Sequence, residues 1–287
     1  QPIGSFGAIK HKLGEMIVRQ YGLESLVYRT AGMIDARIAA TPHEGADQSV
    51  ALATLEEYAI EASIAKVFGS EMLNYVLDEN IQIHGGNGYV RDYPAERHYR
   101  DSRVNRIFEG TNEINRLLIP GMLARRAAKG EPPFIAAAKA LQDELLGPAS
   151  PAATDTTYLG EEARSVEAFK KAVLMVLGLA MQAYREKLGD EQEVLIHLAD
   201  MMLDTCCAES AVLRARSAAA GVGSRDLHGT AVRVFVNDAA MRVEASAKQA
   251  LAAIQDGDTL RTTVAALRRL FRQMPVNTAR LRRQLAN

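Results

Sequence analysis

One carboxylate in this sequence stands where it could act as a base. Glu109 follows the apolar pair Ile107 and Phe108 and precedes Gly110 and Thr111. Apolar neighbours disfavour the charged form of a carboxylate, so that it can accept a proton near neutral pH. Gly110 would let a ligand approach the backbone closely, and Thr111 could cap the helix that follows. The alternative is an ordinary solvated glutamate before a helix N-terminus, and the residues alone favour that alternative.

A second candidate site is the turn from Gly85 to Gly88, in which three of the four residues are glycine. Glycines permit the close approach of backbone to a ligand that carries phosphate. Taken alone, this stretch is more typical of a flexible turn. It does not complete a dinucleotide-binding fingerprint, because no residue fits the third glycine position and no strand precedes it.

Other reactive side chains are not arranged as a metal or nucleophilic site. Glu193 and His197 share one helical face, but no second such pair exists, which argues against a di-iron site in a helical bundle. We predict no metal site. Cys206 and Cys207 are adjacent in an apolar helical stretch. Neighbours on a helix point in different directions, so we expect reduced, buried thiols in a reducing compartment.

The elements that must position these residues are predicted to be helices. Apolar residues recur at helical spacing, and long runs lack proline and glycine. We predict an all-α fold in which Pro120-Gly121 interrupts the helix that begins at Thr111. The stretch from 147 to 157 consists of small and polar residues with two prolines, which is typical of a linker or mobile loop. Beyond it we predict an antiparallel helical unit with helices at Glu161–Lys187, Glu191–Ala220, Ala231–Ile254 and Thr259–Met274.

Composition limits the classes of partner. The chain has 287 residues, of which 48% are hydrophobic and 24% charged, with a net charge of −1. That charge provides no general attraction to nucleic acid or to an anionic membrane. The longest uncharged run, from Ala172 to Tyr184, is too short to span a bilayer and indicates a buried helix. No secretory signal is recognisable, so we expect a cytoplasmic (bacterial) location, with the mitochondrial matrix as the second choice.

Several segments resemble the C-terminal domain of acyl-CoA dehydrogenases. The stretch from Ile81 to Tyr89, then Arg100-Asp101, then Phe108 to Thr111 follow one another at the spacing of that family. The opening Gln1 to Gly7 and the stretch Glu61 to Lys66 are also similar. The resemblance covers about residues 1 to 128. It implies a four-helix-bundle acyl-CoA dehydrogenase C-terminal domain.

The resemblance also implies roles for single residues. Glu109 would remove the α-proton of an acyl-CoA thioester, while hydride leaves the β-carbon for FAD. Gly110 matches the position whose backbone lies against the thioester. The positions that match flavin contacts across a dimer interface are Gln82, Ile83, His84, Gly85 and Gly86. The positions assigned to flavin contacts in the same subunit are Thr111, Asn112 and Glu113, and many relatives carry Gln where Glu113 stands. Capping by Thr111, with Glu113 near the helix dipole, is compatible with this.

Long-chain members of the family carry an appended helical domain. We therefore divide the chain into a catalytic helical domain at 1–128, a linker or mobile segment at 129–158 and an appended domain at 159–287. The appended domain favours long-chain acyl-CoA as substrate and a homodimer. The resemblance to the family as a whole implies an electron-transferring flavoprotein as acceptor. Nothing in the chain resembles the N-terminal helical domain or the β-barrel of these enzymes. We therefore expect a fragment that is inactive alone and binds flavin weakly. The rival interpretations are a non-catalytic helical interaction module and an acyl-CoA oxidase.

Two groups of arginines leave alternatives open. Arg97, Arg100, Arg103 and Arg106 recur every third residue and could bind the phosphates of coenzyme A. Ion pairs that brace the turn before Glu109 are favoured, and Arg100-Asp101 fits them better. From Thr259 to the end there are seven arginines and no acidic residue. This end could make peripheral membrane contact, with Leu267, Leu270, Phe271 and Met274 on one face. A solvated basic face on a docked helix is favoured, and nucleic-acid binding is not predicted.

Overall fold

The computed structural model describes residues 1–41, 48–130, 134–146, 155–218 and 225–287. The fold is all-α, as predicted from the sequence: helices contain most of the described residues, and no strand occurs in the described ranges. The described residues of the first part form six helices: α1 (Gly7–Ala40), α2 (Gln48–Glu57), α3 (Ala59–His84), α4 (Gly86–Tyr89), α5 (Ala95–Arg103) and α6 (Asn112–Ala128). Within this part, α3 packs against α1, α5 and α6.

The second part of the described chain also forms six helices: α7 (Phe134–Leu146), α8 (Gly160–Tyr184), α9 (Gln192–Ala218), α10 (Arg225–Ile254), α11 (Gly257–Leu270) and α12 (Thr278–Leu285). Helices α8, α9 and α10 pack on one another, as the predicted antiparallel unit requires. Short 3₁₀ helices lie at Ile3–Ser5, Val104–Arg106 and Arg185–Asp190.

Some helix boundaries differ from the prediction. Pro120 does not interrupt α6, which continues to Ala128 with Pro120 buried inside it. Burial of one face of α6 against α3 and α9 compensates for the hydrogen bond that a proline removes from a helix. Helix α7 lies inside the segment assigned to a linker, and its Leu141 is 5% exposed. Most of the predicted linker or mobile loop from 147 to 157 lies outside the described residues, which resume at Asp155.

A single hydrophobic core joins the two parts of the chain. Its fully buried members include Ile64 of α3, Ile119 of α6, Phe169 of α8 and Leu198 of α9. Helices α9 and α10 meet closely because they place small side chains against each other, with alanines that are at most 3% exposed: Ala199, Ala208, Ala211, Ala215, Ala239, Ala240, Ala247 and Ala250. The division of the chain near residues 128 and 159 stays a prediction, since the core crosses it.

The C-terminal helix α12 returns to the N-terminal helix α1. An added Cβ at Gly14 would lie 2.4 Å from the carbonyl oxygen of Arg282, so glycine is what allows this approach. The Arg282 side chain is 7% exposed and forms ion pairs with Glu15 of α1, at 2.6 Å, and with Asp238 of α10. The last arginines of the chain are therefore not all solvated, because one of them holds three helices together.

The apolar face of the basic C-terminal end is largely docked. Leu267 is fully buried, and Leu270 and Phe271 pack against the core, where the Phe271 ring stacks on Phe169 at a centroid distance of 5.8 Å. Met274 is 83% exposed. The docked-helix interpretation therefore accounts for three of these four apolar residues.

Two further expectations concern the interior. The run from Ala172 to Tyr184 lies in α8, where Ala172, Val176 and Leu177 are fully buried, which confirms a buried helix. No helix in the described ranges is both long and apolar enough to cross a membrane. Cys206 and Cys207 are free thiols, and burial raises the pKa of Cys206 to about 12.

Candidate active site

The turn between α5 and α6 holds Glu109 in an unusual backbone conformation. The Val104–Arg106 3₁₀ helix ends with amides of Ile107 and Phe108 that donate to the Val104 carbonyl, at 2.8 and 3.1 Å. Glu109 then adopts φ 57° and Gly110 φ 77°. A left-handed conformation at a residue with a side chain costs of order 1–3 kcal/mol and persists where surrounding contacts enforce it. Leu159 and Arg185 share this conformation, so the strain alone does not single out Glu109. Glu109 is the one of the three that carries a carboxylate, and it lies in the motif that resembles the family.

The apolar neighbours of Glu109 do not enclose it in this chain. Ile107 is 56% and Phe108 47% exposed, and Glu109 itself is exposed. The described residues therefore leave the expected apolar surroundings of Glu109 incomplete. The turn lies at the surface of the described chain, where about half of each apolar side chain is exposed. A water-poor slot around Glu109 would need a ligand or a further protein surface.

The start of α6 is capped as predicted. The Thr111 hydroxyl oxygen accepts a hydrogen bond from the Ile114 amide at 3.2 Å. Hydrogen bonds from its own backbone amide and from the Thr111 hydroxyl hold the pKa of the Glu113 carboxyl below its usual value. Glu113 is exposed in the first helical turn, where the helix dipole favours a negative charge. Both residues therefore have a local structural role, whatever ligand contacts they make.

The side chains of Lys66 and Asn115 hold the Glu109 turn through hydrogen bonds to the Gly110 carbonyl. The Lys66 ammonium of α3 donates to the Gly110 carbonyl at 2.6 Å and to the Asn112 side-chain oxygen at 2.8 Å. The Asn115 amide also donates to the Gly110 carbonyl, at 2.9 Å. In the sequence, Lys66 stands out only as part of the stretch Glu61 to Lys66 that resembles the family. Lys66 is the one lysine or arginine in α3, among four carboxylate residues, and this was the signal that could have marked it.

Asn112, a predicted cofactor contact, is turned inward. It is 1% exposed, and its amide nitrogen donates to the Ser70 hydroxyl at 2.9 Å and to the Glu71 carboxylate at 3.1 Å. A side-chain contact between Asn112 and a cofactor would have to replace these hydrogen bonds.

A cluster of charged side chains lies next to the buried Asn112 and includes its partner Glu71. Arg116 of α6 donates two hydrogen bonds to Glu71, at 2.6 and 2.9 Å, and a third to Asp200 of α9 at 2.8 Å. Burial raises the pKa of the Glu71 carboxyl, but the hydrogen bonds and charge of Arg116 outweigh burial and leave it below its usual value. Glu71, Arg116 and Asp200 line a cavity of about 390 Å³ between α1, α3, α6, α9 and α10.

The glycine-rich turn ends α3. Gly85 adopts φ 58°, and no atom lies within 4 Å of a Cβ added at Gly85 or at Gly86, so both backbones face open space. Gly88 is glycine for a steric reason: a Cβ added there would lie 2.5 Å from the Ile81 carbonyl oxygen. Of the remaining predicted contacts, Gln82 and His84 are exposed, and Ile83 is partly buried.

The structure does not bring the two sets of predicted cofactor residues together. Lys66 contacts the turn with Gly110 and Asn112, whereas Gly85 lies at the far end of the same helix. Their 19-residue separation corresponds to roughly 28 Å along the helix axis at 1.5 Å per residue. The two sets therefore lie in separate regions of one chain.

The arginines before Glu109 are not braced by the expected ion pairs. Among the described residues, Arg97, Arg100, Arg103 and Arg106 have no carboxylate within 4.0 Å. Arg100 and Asp101 are both exposed and, as neighbours on a helix, point in different directions. The favoured ion-pair interpretation is therefore wrong. Arg100 and Arg103 instead line an open surface cavity of about 710 Å³ with two tyrosines, Tyr89 and Tyr99.

Metal-binding residues do not cluster in the structure. Across the described ranges, no group of three or more histidine, cysteine, aspartate or glutamate side chains could hold a metal ion. Glu193 and His197 lie on α9 without such a group.

Comparison with known proteins assigns the chain to a family. Two family models, both described as "Acyl-CoA dehydrogenase, C-terminal domain", match residues 1–124 and 168–269. The chain belongs to the acyl-CoA dehydrogenase family. The two matches meet in one structure, because α1 to α6 carry the first and α8 to α11 the second.

Three relatives show how far the similarity to acyl-CoA dehydrogenases extends. A Bacillus subtilis (strain 168) protein named "Probable acyl-CoA dehydrogenase" is 42% identical over 99% of this chain and 48% of its own length. The crystal structure of an acyl-CoA dehydrogenase from Bacillus anthracis complexed with FAD is 42% identical. It superimposes with a TM-score of 0.94 over 100% of this chain and 49% of that one. The human mitochondrial very long-chain specific acyl-CoA dehydrogenase is 40% identical over 42% of this chain and 16% of its own length. The chain thus spans about half the length of the two relatives that match it throughout.

Proposed function

We propose that this chain is part of a flavin-dependent acyl-CoA dehydrogenase that converts an acyl-CoA thioester to its trans-2-enoyl-CoA. The observation that carries the proposal is the Glu109 turn. This turn has a left-handed backbone, a carboxylate exposed to a ligand and a carbonyl fixed from beneath by Lys66. Membership of the family supplies the reaction class. In that reaction a base removes the α-proton while the β-carbon loses a hydride equivalent.

Glu109 is the base in this proposal. Its carboxylate takes the α-proton of the bound thioester, and Gly110 offers its backbone to the thioester. The exposed side chains of Ile107 and Phe108 then cover the ligand and exclude water from the carboxylate. Lys66 keeps the Gly110 carbonyl in place, so the backbone that carries Glu109 is held without a ligand.

The residues of this chain fit a flavin at two surfaces. The open backbones of Gly85 and Gly86 allow a phosphate-bearing group to approach, and the N-terminus of α6 at Thr111 to Glu113 presents backbone amides. When bound, FAD would supply the acceptor for the hydride lost by the β-carbon. The FAD in the Bacillus anthracis relative supports this choice of cofactor.

The separation of the two cofactor surfaces supports a homodimer. Because roughly 28 Å of α3 lies between them, each would meet a different flavin. In a symmetric pair, the Gly85 surface of one subunit then serves the cofactor held at Thr111 of the other. Mass measurement of the flavin-loaded protein in solution tests this, and a stable flavin-loaded monomer contradicts it.

We propose long-chain acyl-CoA as substrate and an electron-transferring flavoprotein as acceptor. The match of a second family segment at 168–269 and the similarity to a very long-chain enzyme support the substrate. The family resemblance supports the acceptor and a role in fatty acid β-oxidation. We also propose that the isolated 287-residue chain is inactive and binds flavin weakly, because it spans only about half of its relatives.

One experiment tests the central proposal. Acyl-CoA thioesters of increasing chain length are added under nitrogen to the flavin-loaded protein from the intact gene, and the visible flavin absorbance is followed. We expect bleaching, fastest with long chains. Absence of bleaching with every thioester would leave the non-catalytic helical module. Reoxidation of the bleached flavin by oxygen as fast as by electron-transferring flavoprotein would indicate an oxidase.

A further inference from the structure

The Glu109 turn is held in place by Lys66, and the Lys66 ammonium is in turn held by the side chain of Asn112. The Lys66 ammonium joins the Gly110 carbonyl and the Asn112 side-chain oxygen, at 2.6 and 2.8 Å. Asn112 can present that oxygen to Lys66 only while its amide nitrogen points the opposite way. A rotation of the Asn112 amide would place a donor against the Lys66 ammonium and break the contact.

The orientation of Asn112 is set by what accepts from its nitrogen. That nitrogen donates to the Glu71 carboxylate at 3.1 Å and to the Ser70 hydroxyl at 2.9 Å. Ser70 can both donate and accept, so it would tolerate either orientation of the amide. An ionised carboxylate only accepts, and Glu71 therefore decides the orientation.

Glu71 is itself held by Arg116. The Arg116 guanidinium contacts both carboxylate oxygens, a bidentate geometry that fixes the plane of the carboxylate as well as its position. The Arg116 side chain is only 15% exposed, so few water molecules can replace a lost partner. Its remaining hydrogen bond in the described chain, from the ε nitrogen, goes to Asp200 at 2.8 Å.

Asp200 reaches this network from the other part of the chain. It lies on α9, within the second family segment, whereas Lys66, Glu71 and Arg116 lie in the first. The cavity of about 390 Å³ beside Arg116 gives the guanidinium room to rotate if Asp200 no longer holds it. The nearby carboxylate of Asp204 already accepts from Arg242, at 2.7 Å.

We propose that Asp200 is a positioning residue that sets the conformation of the Glu109 turn. It acts through a continuous series of hydrogen-bonded side chains: Arg116, Glu71, Asn112 and Lys66. The helical unit that contains α9 thereby contributes to the site, because its Asp200 carboxylate orients the side chains that hold the backbone next to Glu109. The catalytic part of this inference rests on the proposed dehydrogenase function, and the effect on the turn does not.

The test compares Asp200→Asn with Glu193→Gln in the flavin-loaded protein from the intact gene. Asn is isosteric with Asp but attracts the guanidinium without a charge. Glu193 lies exposed on the same helix and forms no ion pair with any described residue, so Glu193→Gln is the matched control. We expect Asp200→Asn to lower kcat about ten-fold while the KM for acyl-CoA stays within about two-fold, because the turn is misplaced and the acyl surface is intact. The control should match the wild type in both constants.

Hydrogen exchange of the peptide that spans residues 108 to 116 gives a second readout. We expect exchange about ten-fold faster in Asp200→Asn, with core peptides of α9 and α10 unchanged. An unchanged kcat and unchanged exchange would overturn the proposal while the dehydrogenase function stands. So would a fall in kcat that only follows a loss of bound flavin. If the wild-type protein shows no flavin bleaching, the proposed function fails, and the exchange result alone decides whether Asp200 positions the turn.

Discussion

The interior around α9 and the turn around Glu109 use similar side chains in opposite ways. Phe169 and Ile119 are fully buried in the interior, whereas Phe108 is 47% and Ile107 56% exposed beside Glu109. Buried apolar side chains stabilise the folded chain. Exposed apolar side chains beside Glu109, whose backbone is left-handed, offer a surface to a ligand or another protein. The difference indicates that stability and function occupy separate regions of this chain. The Asp200 network is the contact between them.

The largest expected effect tests the functional side of this comparison. Glu109→Gln keeps the size of the side chain and removes its ability to accept a proton. In the flavin-loaded protein we expect kcat to fall roughly 10²- to 10⁴-fold. Acyl-CoA and flavin should still bind, as followed by flavin absorbance. Turnover near the wild-type rate would show that the base lies elsewhere.

A matched pair of phenylalanines tests the division directly. Phe169→Ala should lower the free energy of unfolding by about 3–5 kcal/mol, because it empties a fully buried site and removes the stack on Phe271. Phe108→Ala should change it by less than about 0.5 kcal/mol. Chemical denaturation followed by circular dichroism measures both. Equal losses would mean that the turn is part of the stabilising core.

The ion pairs of Arg282 with Glu15 and Asp238 make the stability of the folded chain depend on pH. Burial raises the pKa of the Glu15 carboxyl, but the charge of Arg19 and the hydrogen bonds from Arg282 hold it below its usual value. A carboxyl with a lowered pKa contributes stability above its unfolded pKa of about 4.3, and this is lost as pH falls through the folded pKa. Arg282→Met should therefore cost about 3 kcal/mol at neutral pH and progressively less below about pH 4.

Urea denaturation of this variant across pH 3 to 7 measures that cost. Arg283→Met on the same helix is its control, because Arg283 is exposed and forms no ion pair with any described residue. A cost that is constant with pH would indicate lost packing rather than unpaired carboxylates.

The smallest effect is expected at the cap of α6. Thr111→Ala removes the acceptor for the Ile114 amide and should cost about 1 kcal/mol, confined to the first turn of the helix. Hydrogen exchange at Ile114 would show the change, and Thr111→Ser should restore protection. A loss of global stability would instead couple the turn to the core.

Much of the fold could be predicted from the sequence because helical periodicity is local. The spacing of apolar residues located α8, α9 and most of α10, and the glycines after His84 marked the end of α3. The misjudged elements depend on distant contacts. Pro120 stays inside α6 because its face is buried against other helices, and α7 forms within a segment whose composition resembles a linker.

The sequence by itself determined the helical class, the family resemblance and the choice of Glu109, since each depends on residue type and local order. Only the tertiary structure decided how these residues are used. It turned Asn112 inward and placed Lys66 under Gly110, although 44 positions separate them. It also left Ile107 and Phe108 exposed and brought Asp200 to Arg116 across 84 positions. Such contacts follow from the packing of whole helices, which no local pattern encodes.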